Sequence, residues 1–272
     1  KEYHPVARKI FGNTPEMIKF FSEKLGVDYP WAKYAQIVGR DYVSGAMENT
    51  TATLHQESSY QNARQLKDGN IWEGTIAHEL FHQWFGDLVT TESWSNITVN
   101  ESFANYSEYL WSEYKYGKDD ADEHNLEDMQ GYLFSGSETK DLVRYHYSNK
   151  EDVFDAVSYN KGGRILHMLR NYVGDDAFFK SLNLYLTANK FKAGEAAQLR
   201  LAFEEVTGMD LNWFWNQWYY GSGHPVLNIN YNYDLPGVAR VIVEQKQKSG
   251  KAFRLPVAID VYNGANKKRY DV

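Results

Sequence analysis

The sequence predicts an α+β chain in two domains. Residues 1–221 form a small mixed sheet with a mostly helical lobe, and residues 222–272 begin a β-sandwich that is cut short. Short apolar runs between Tyr34 and His55 are interrupted at Gly39 and Gly45, as strands are. Apolar residues then recur at helical spacing through most of residues 70–221. After Gly221-Ser222-Gly223-His224-Pro225 the period switches to two.

In chain order, Thr14-Pro15-Glu16 opens a helix whose apolar positions are Met17, Ile18, Phe20, Phe21 and Leu25, with Gly26 as its stop. Tyr34–Val38, Asp41–Glu48 and Thr50–His55 read as short strands. A helix is predicted from about Asn70 to Phe85, capped by Gly86. A loop rich in Thr, Ser and Asn follows. Asn100 is the predicted N-cap of a further helix to about Tyr116, which buries Phe103, Tyr106, Tyr109 and Leu110. From about Asp120 to Gly221 nearly everything reads as helix. Leu166 and Leu169, Phe178 and Leu182, Leu199 and Phe203, then Phe214 and Trp218 mark successive helices. Beyond Gly221, Leu227, Ile229 and Tyr231, then Val241 and Val243, then Val257, Ile259 and Val261 alternate. Turns at Leu235-Pro236-Gly237 and Lys248-Ser249-Gly250 separate these strands. About four strands fit, where a sandwich normally needs about seven.

Composition narrows the function. Apolar residues make up 43% of the 272, enough for a sizeable core, and aromatics make up 16%. The net charge of −7 and the lack of any Lys/Arg run beyond three residues argue against nucleic acid as a partner. With no cysteine, thiol catalysis and disulfides are excluded. No apolar stretch reaches the roughly 18 residues of a membrane span. The chain begins at Lys1 without a signal-like segment and reads as an excised piece, so localisation is not inferred.

Chemistry concentrates in His78-Glu79-Leu80-Phe81-His82, with Glu101 nineteen positions after the second histidine. Histidines four apart lie one turn apart on one helix face, so two ring nitrogens can converge on a single zinc ion. Glu79 sits beside them, where a zinc-bound water needs a base. With Glu101 as third ligand, a fourth position stays open, as in catalytic rather than structural zinc sites. This composition yields the His-Glu-x-x-His pattern by chance roughly 0.03 times per chain, and an amphipathic helix with two packed histidines is the competing reading. Asn105 and Glu108 lie one and two turns beyond Glu101. Each is either a partner behind a ligand or part of a solvated helix face. His55, His124, His146 and His167 have no ligand spacing.

Gly45-Ala46-Met47-Glu48-Asn49, followed by His78-Glu79-Leu80-Phe81-His82 and Glu101, resembles the zinc aminopeptidases that include alanyl aminopeptidase and leukotriene hydrolase. Their signatures are GxMEN and HExxH-x18-E. Gly86-Asp87-Leu88-Val89-Thr90, Tyr159-Asn160-Lys161-Gly162 and Gln217-Trp218 leading into Gly223-His224-Pro225-Val226 extend the similarity over about residues 13–230. Ser102 stands where the family commonly has Gly, and Asn160 where it has Glu, which bears on substrate preference and removes no ligand.

The resemblance implies a thermolysin-like zinc peptidase catalytic domain followed by a small β-sandwich, and one zinc per chain on His78, His82 and Glu101. It further implies Glu79 as base, and Tyr159 as hydrogen-bond donor to the oxyanion rather than one packed aromatic among 21 tyrosines. Gly45, Ala46, Met47 and Glu48 would bind substrate. The strand around Gly45 and Ala46 would pair with an extended peptide, Met47 would pack, and Glu48 would take the free α-ammonium group with help from Glu101. The expected function is removal of single N-terminal residues from peptides by a zinc-activated water. A thermolysin-like endopeptidase and a non-catalytic scaffold relative are the alternatives. The implied partners are a peptide with a free N-terminus and flanking domains of the same full-length chain: a large β-domain before this segment and a helical domain after it.

Overall fold

A computed structural model describes residues 4–235 and 237–272; Pro236, within the predicted turn after Leu235, lies outside the described residues. Helices α1 (His4–Phe11) and α2 (Thr14–Leu25) open the chain. Pro15 occupies the first turn of α2, where its missing N–H costs nothing. Gly26 ends the helix as the sequence predicts, in the left-handed region at φ +60°.

Strands β1 (Ala35–Gly39), β2 (Ala46–Met47) and β3 (Ala52–Gln56) form a small mixed sheet in the order β1-β3-β2. β1 runs parallel to β3, and β2 pairs antiparallel with it through Ala46↔His55 and Met47↔Leu54. Only two of the eight residues Asp41–Glu48 are strand, because Asp41 turns the chain at φ +54°. β2 is left at the edge of the sheet.

Helix α3 (Glu73–Phe81) starts with an acidic residue in its first turn, favourable against the helix dipole. The Glu73 carboxylate accepts from Asn13, Trp111 and Tyr116, which anchors this end. The helix stops at Phe81 rather than Phe85. Beyond it the chain reverses, Asp87 N–H donating to the His82 carbonyl and Val89 N–H to that of Trp84. Gly86, expected as the cap, lies within this reversal at φ +146°. Phe85 is fully buried between Phe81 and Phe103, stacked on Phe103 with centroids 4.1 Å apart.

Strand β4 (Val89–Thr91) leads through a 3-10 turn at Trp94–Asn96 into α4 (Thr98–Lys115). Asn100 is therefore not the N-cap; it is buried inside the first turn, since the 3-10 turn already runs helically through Ile97. Helix α5 (Lys118–Phe134) follows. Residues 135–156 then depart from the expected helix and hold only loop and one 3-10 turn, Lys150–Val153. A π-helical turn, Val157–Lys161, runs directly into α6 (Gly162–Val173). After α7 (Asp175–Asn189) comes β5 (Lys192–Gly194), which pairs parallel with β4 and was not legible in the sequence. Helices α8 (Ala196–Thr207) and α9 (Asn212–Trp218) complete this part. Its core is aromatic, with Trp84, Trp111, Trp215, Tyr185 and Phe21 fully buried.

The chain divides after Gly221. Ser222–Val272 holds two antiparallel hairpins, one of β6 (Leu227–Leu235) and β7 (Val238–Gln245), the other of β8 (Ala258–Asn263) and β9 (Asn266–Asp271). Among the described residues, no helix is long and apolar enough to cross a membrane.

Candidate metal centre and cleft

His78 and Glu79 project from the last turns of α3. His82 follows the final helical residue but keeps helical backbone angles, its N–H reaching the His78 carbonyl. The early end of α3 therefore leaves the four-residue spacing of the two rings intact. Glu101 enters from the first turn of α4. Nε2 of His78 and Nε2 of His82 each lie 3.4 Å from the same Glu101 oxygen, Oε2. Two ligands at about 2.0–2.1 Å from a tetrahedral zinc stand roughly 3.3 Å apart, so the trio has the spacing of ligands around a metal. Glu101 Oε2 is buried without a hydrogen-bond partner, and so is Glu79 Oε2. Among the described residues, His78, His82 and Glu101 are the group that can hold a metal ion.

Each imidazole is held from behind. His78 donates Nδ1–H to Glu108 Oε1 at 2.9 Å, and His82 donates Nδ1–H to the Phe85 carbonyl at 2.9 Å. Both bonds leave Nε2 free to ligate. Gly86 lets the chain pass close to His82, since a Cβ there would stand 3.2 Å from His82 Nδ1. The Glu108 carboxylate lies against α3 at Gly74, where a Cβ would meet its Oε2 at 2.8 Å. His124, which has no ligand spacing in the sequence, lies 3.9 Å from Glu108 and 3.6 Å from Asp128.

Burial pushes the Glu79 carboxyl up to about 7; the two imidazoles pull it down, and Glu48 and Glu101 push it up further. A carboxylate poised there suits proton transfer near neutral pH. Burial opposes a charge on His82, yet Glu48 and Glu101 raise it to about 9, the mark of a pocket in want of positive charge.

Tyr159 sits in the π-helical turn, a distortion often found at functional sites. Its ring stacks on His78 at 5.8 Å and 13°. Burial and the carboxylates of Glu101, Glu48 and Glu79 hold the phenol well above its ordinary value, so it stays a neutral donor.

A cleft of about 1270 Å³ joins these groups to the edge strand. Gly45, Ala46, Met47, Glu48, His78, Glu79, His82, Glu101 and Tyr159 all line it, so every site residue expected from the sequence faces one space. The strand-to-loop turn after Met47 is moored by buried Gln83. Its Nε2 donates to the Glu48 carbonyl at 3.0 Å and to Asp87 Oδ2 at 2.8 Å, while its Oε1 accepts from Thr51 N–H at 2.9 Å.

A family model described as Peptidase family M1 domain matches residues 10–218. The chain belongs to peptidase family M1. Aminopeptidase M1-A of Oryza sativa subsp. japonica is 32% identical over 220 residues, which are 77% of this chain and 25% of that protein. Aminopeptidase N of Streptomyces lividans is 32% identical over 252 residues, 86% of this chain and 28% of that protein. The crystal structure of an M1 zinc metallopeptidase from Deinococcus radiodurans aligns with a TM-score of 0.65 at 27% identity, covering 79% of this chain and 45% of that one. A mutant of that protein bound to a Tyr-Ser-Ala substrate aligns with a TM-score of 0.64. The chain thus spans about a quarter of the length of the curated relatives it matches.

The Deinococcus radiodurans relative is a zinc metallopeptidase, and the His-His-Glu group of this chain has donors and spacing that fit zinc. Sequence reasoning left Glu108 undecided and passed over Gln83, Asp128 and Arg144. Glu108 had a signal, lying seven residues after Glu101 and so two turns along the same helix face. Gln83 had none beyond its place next to His82.

Proposed function

We propose that this M1 chain carries the catalytic domain of a zinc-dependent aminopeptidase that removes single N-terminal residues from peptides. His78, His82 and Glu101 are the ligands in this reading. Zinc, when bound, supplies Lewis acidity to a carbonyl oxygen and lowers the pKa of a water towards 7. Glu79 takes the proton from the attacking water and passes it to the leaving amine. Tyr159 donates a hydrogen bond to the oxygen on which negative charge develops. Glu48 accepts from the α-ammonium group of the substrate, with Glu101 as the second carboxylate of that contact. The free edge of β2 hydrogen-bonds to the peptide in extended form.

One observation carries the aminopeptidase reading over an endopeptidase: Glu48, beside the edge strand, opens into the same cleft as the His-His-Glu group. Aspartate and glutamate side chains outnumber lysine and arginine in that lining, with Lys150 as its described Lys/Arg residue. Such a pocket favours an ammonium group and disfavours a blocked terminus. The relatives named as aminopeptidases, and the relative bound to a Tyr-Ser-Ala substrate, support the same substrate class.

The test is a pair of peptides that differ only in N-acetylation, followed by mass spectrometry. The free peptide should shorten one residue at a time while the acetylated one stays intact. Glu48→Ala should depress turnover of the free peptide. Internal cleavage of the acetylated peptide at a similar rate would favour the endopeptidase instead.

A further inference from the structure

The turn that bears Tyr159 is tied to α4, the helix that carries Glu101, and to α5. Ser158, Tyr159 and Asn160, three consecutive residues of the π-helical turn, are each tied to α4 or α5. Ser102 Oγ donates to the Ser158 carbonyl at 2.6 Å. The Asn105 amide, with its nitrogen turned towards two acceptors, donates to the Tyr159 carbonyl at 3.2 Å and to Asp128 Oδ2 at 3.0 Å. Asn160 Nδ2 donates to Asp128 Oδ1 at 2.8 Å, and Arg164 holds the same carboxylate at 3.1 Å. Ser102, Asn105 and Asp128 are all buried.

The turn comes this close to α4 because glycines follow it. A Cβ at Gly162 would stand 1.8 Å from Ser102 Oγ, and one at Gly163 would stand 2.2 Å from the end of the Asn105 side-chain amide. Ser102 and Asn105 lie one and four residues after Glu101, so a single helix carries both a ligand and the mount of the phenol. Neither Ser102, Asn105, Asp128 nor Asn160 lines the cleft. Ser102 and Asn160, where the chain departs from the family pattern, therefore bear on the seat of Tyr159 rather than on the substrate pocket.

We propose that Asn105 and Asp128, with Ser102, are positioning residues that set Tyr159 against the ligand His78, on which its ring stacks. This rests on Tyr159 acting as the oxyanion donor. A donor used in the transition state must reach about 2.7–3.1 Å from the oxyanion, and a shift of about 1 Å can cost roughly a hundredfold in rate.

The test is a double-mutant cycle on the zinc-loaded full-length protein, using Asn105→Ala, Tyr159→Phe and the two together. Asn105→Ala alone should lower kcat by about tenfold or more, with KM within about twofold and zinc content unchanged. In the Tyr159→Phe background the same change should alter kcat by less than about twofold, because the group it positions is gone. A crystal structure of Asn105→Ala should show the phenol oxygen displaced. Equal losses in both backgrounds, or an unmoved phenol, would overturn the proposal while leaving the role of Tyr159 standing. An unchanged kcat in Tyr159→Phe alone would overturn both. Should Asn105→Ala fail to fold, Asp128→Asn, which keeps the shape of the side chain, takes its place in the same cycle: a loss confined to the Tyr159 background supports the proposal, and equal losses overturn it.

Discussion

Glu108 Oε1 lies 2.9 Å from Nδ1 of His78, linking α4 to α3 on the side of the ring away from Nε2. The bond fixes the ring so that Nε2 faces Glu101. Glu108→Ala should weaken zinc binding by roughly 10- to 100-fold, the usual cost of losing such a partner. Competition with a chromophoric chelator measures it. An affinity unchanged by the substitution would make Glu108 a packing residue only.

Glu79 is buried, lies between His78 and His82 in sequence, and is not one of the three residues of the His-His-Glu group. Glu79→Gln should keep its full zinc content while kcat falls by roughly 10²–10⁴, because only the proton acceptor is removed. Metal analysis and turnover on one preparation decide the matter. Retained zinc with near-normal turnover would remove Glu79 from the role of base.

The stacked Tyr159 ring has its own signature. Tyr159→Phe should lower kcat by roughly 10²–10³ with KM little changed, as expected of a donor used mainly in the transition state. Steady-state kinetics on a free-amine peptide reads both constants. A rise in KM at constant kcat would point to substrate binding instead.

Arg144 grips Asp155 through two hydrogen bonds, of 2.6 and 3.0 Å, and donates to Ser158 Oγ at 2.6 Å, so this pair anchors the start of the turn that bears Tyr159. Burial works to raise the Asp155 carboxyl, but Arg144 and Lys140 outweigh it and hold the group below its ordinary value. Asp155 therefore stabilises the fold above the ordinary carboxyl range near pH ~4, and that contribution disappears as acid takes the pH down through the lowered folded value. Asp155→Asn should flatten the acid limb of a stability–pH profile. Arg144→Ala should cost up to roughly 3 kcal/mol, since it leaves a part-buried carboxylate with Lys140 as its remaining ion-pair partner. Chemical denaturation at a series of pH values tests both, and an acid limb unchanged in Asp155→Asn would discard the assignment.

Helix α2 was readable from end to end, because Pro15 and Gly26 act through their own backbone and need no distant partner. The overlong reading of α3 has the opposite cause. Its last predicted turn is locally helical in character, but the reversal at Gly86 and the stacking of Phe85 on Phe103 depend on β4 and α4. β5 is three residues long, too short for any alternation to show, and exists only because β4 runs beside it. Residues 135–156 carry enough apolar side chains to suggest helix. Some of them instead bury individually, as Leu142, Val143 and Val153 do.

The sequence by itself determined the positions of His78, Glu79 and His82 relative to one another, because a helix places residues four apart on one face whatever surrounds it. It also set the spacing of Glu101, Asn105 and Glu108 along a second helix. Only the tertiary structure decided that these two helices lie together so that Glu101 Oε2 stands 3.4 Å from both rings. It also brought Glu48 of the edge-strand segment and Tyr159 of the π-helical turn to the same cleft. Backbone periodicity is a local property, whereas contacts between residues far apart in the chain exist only once buried side chains such as Phe85 and Phe103 have fixed how the elements pack.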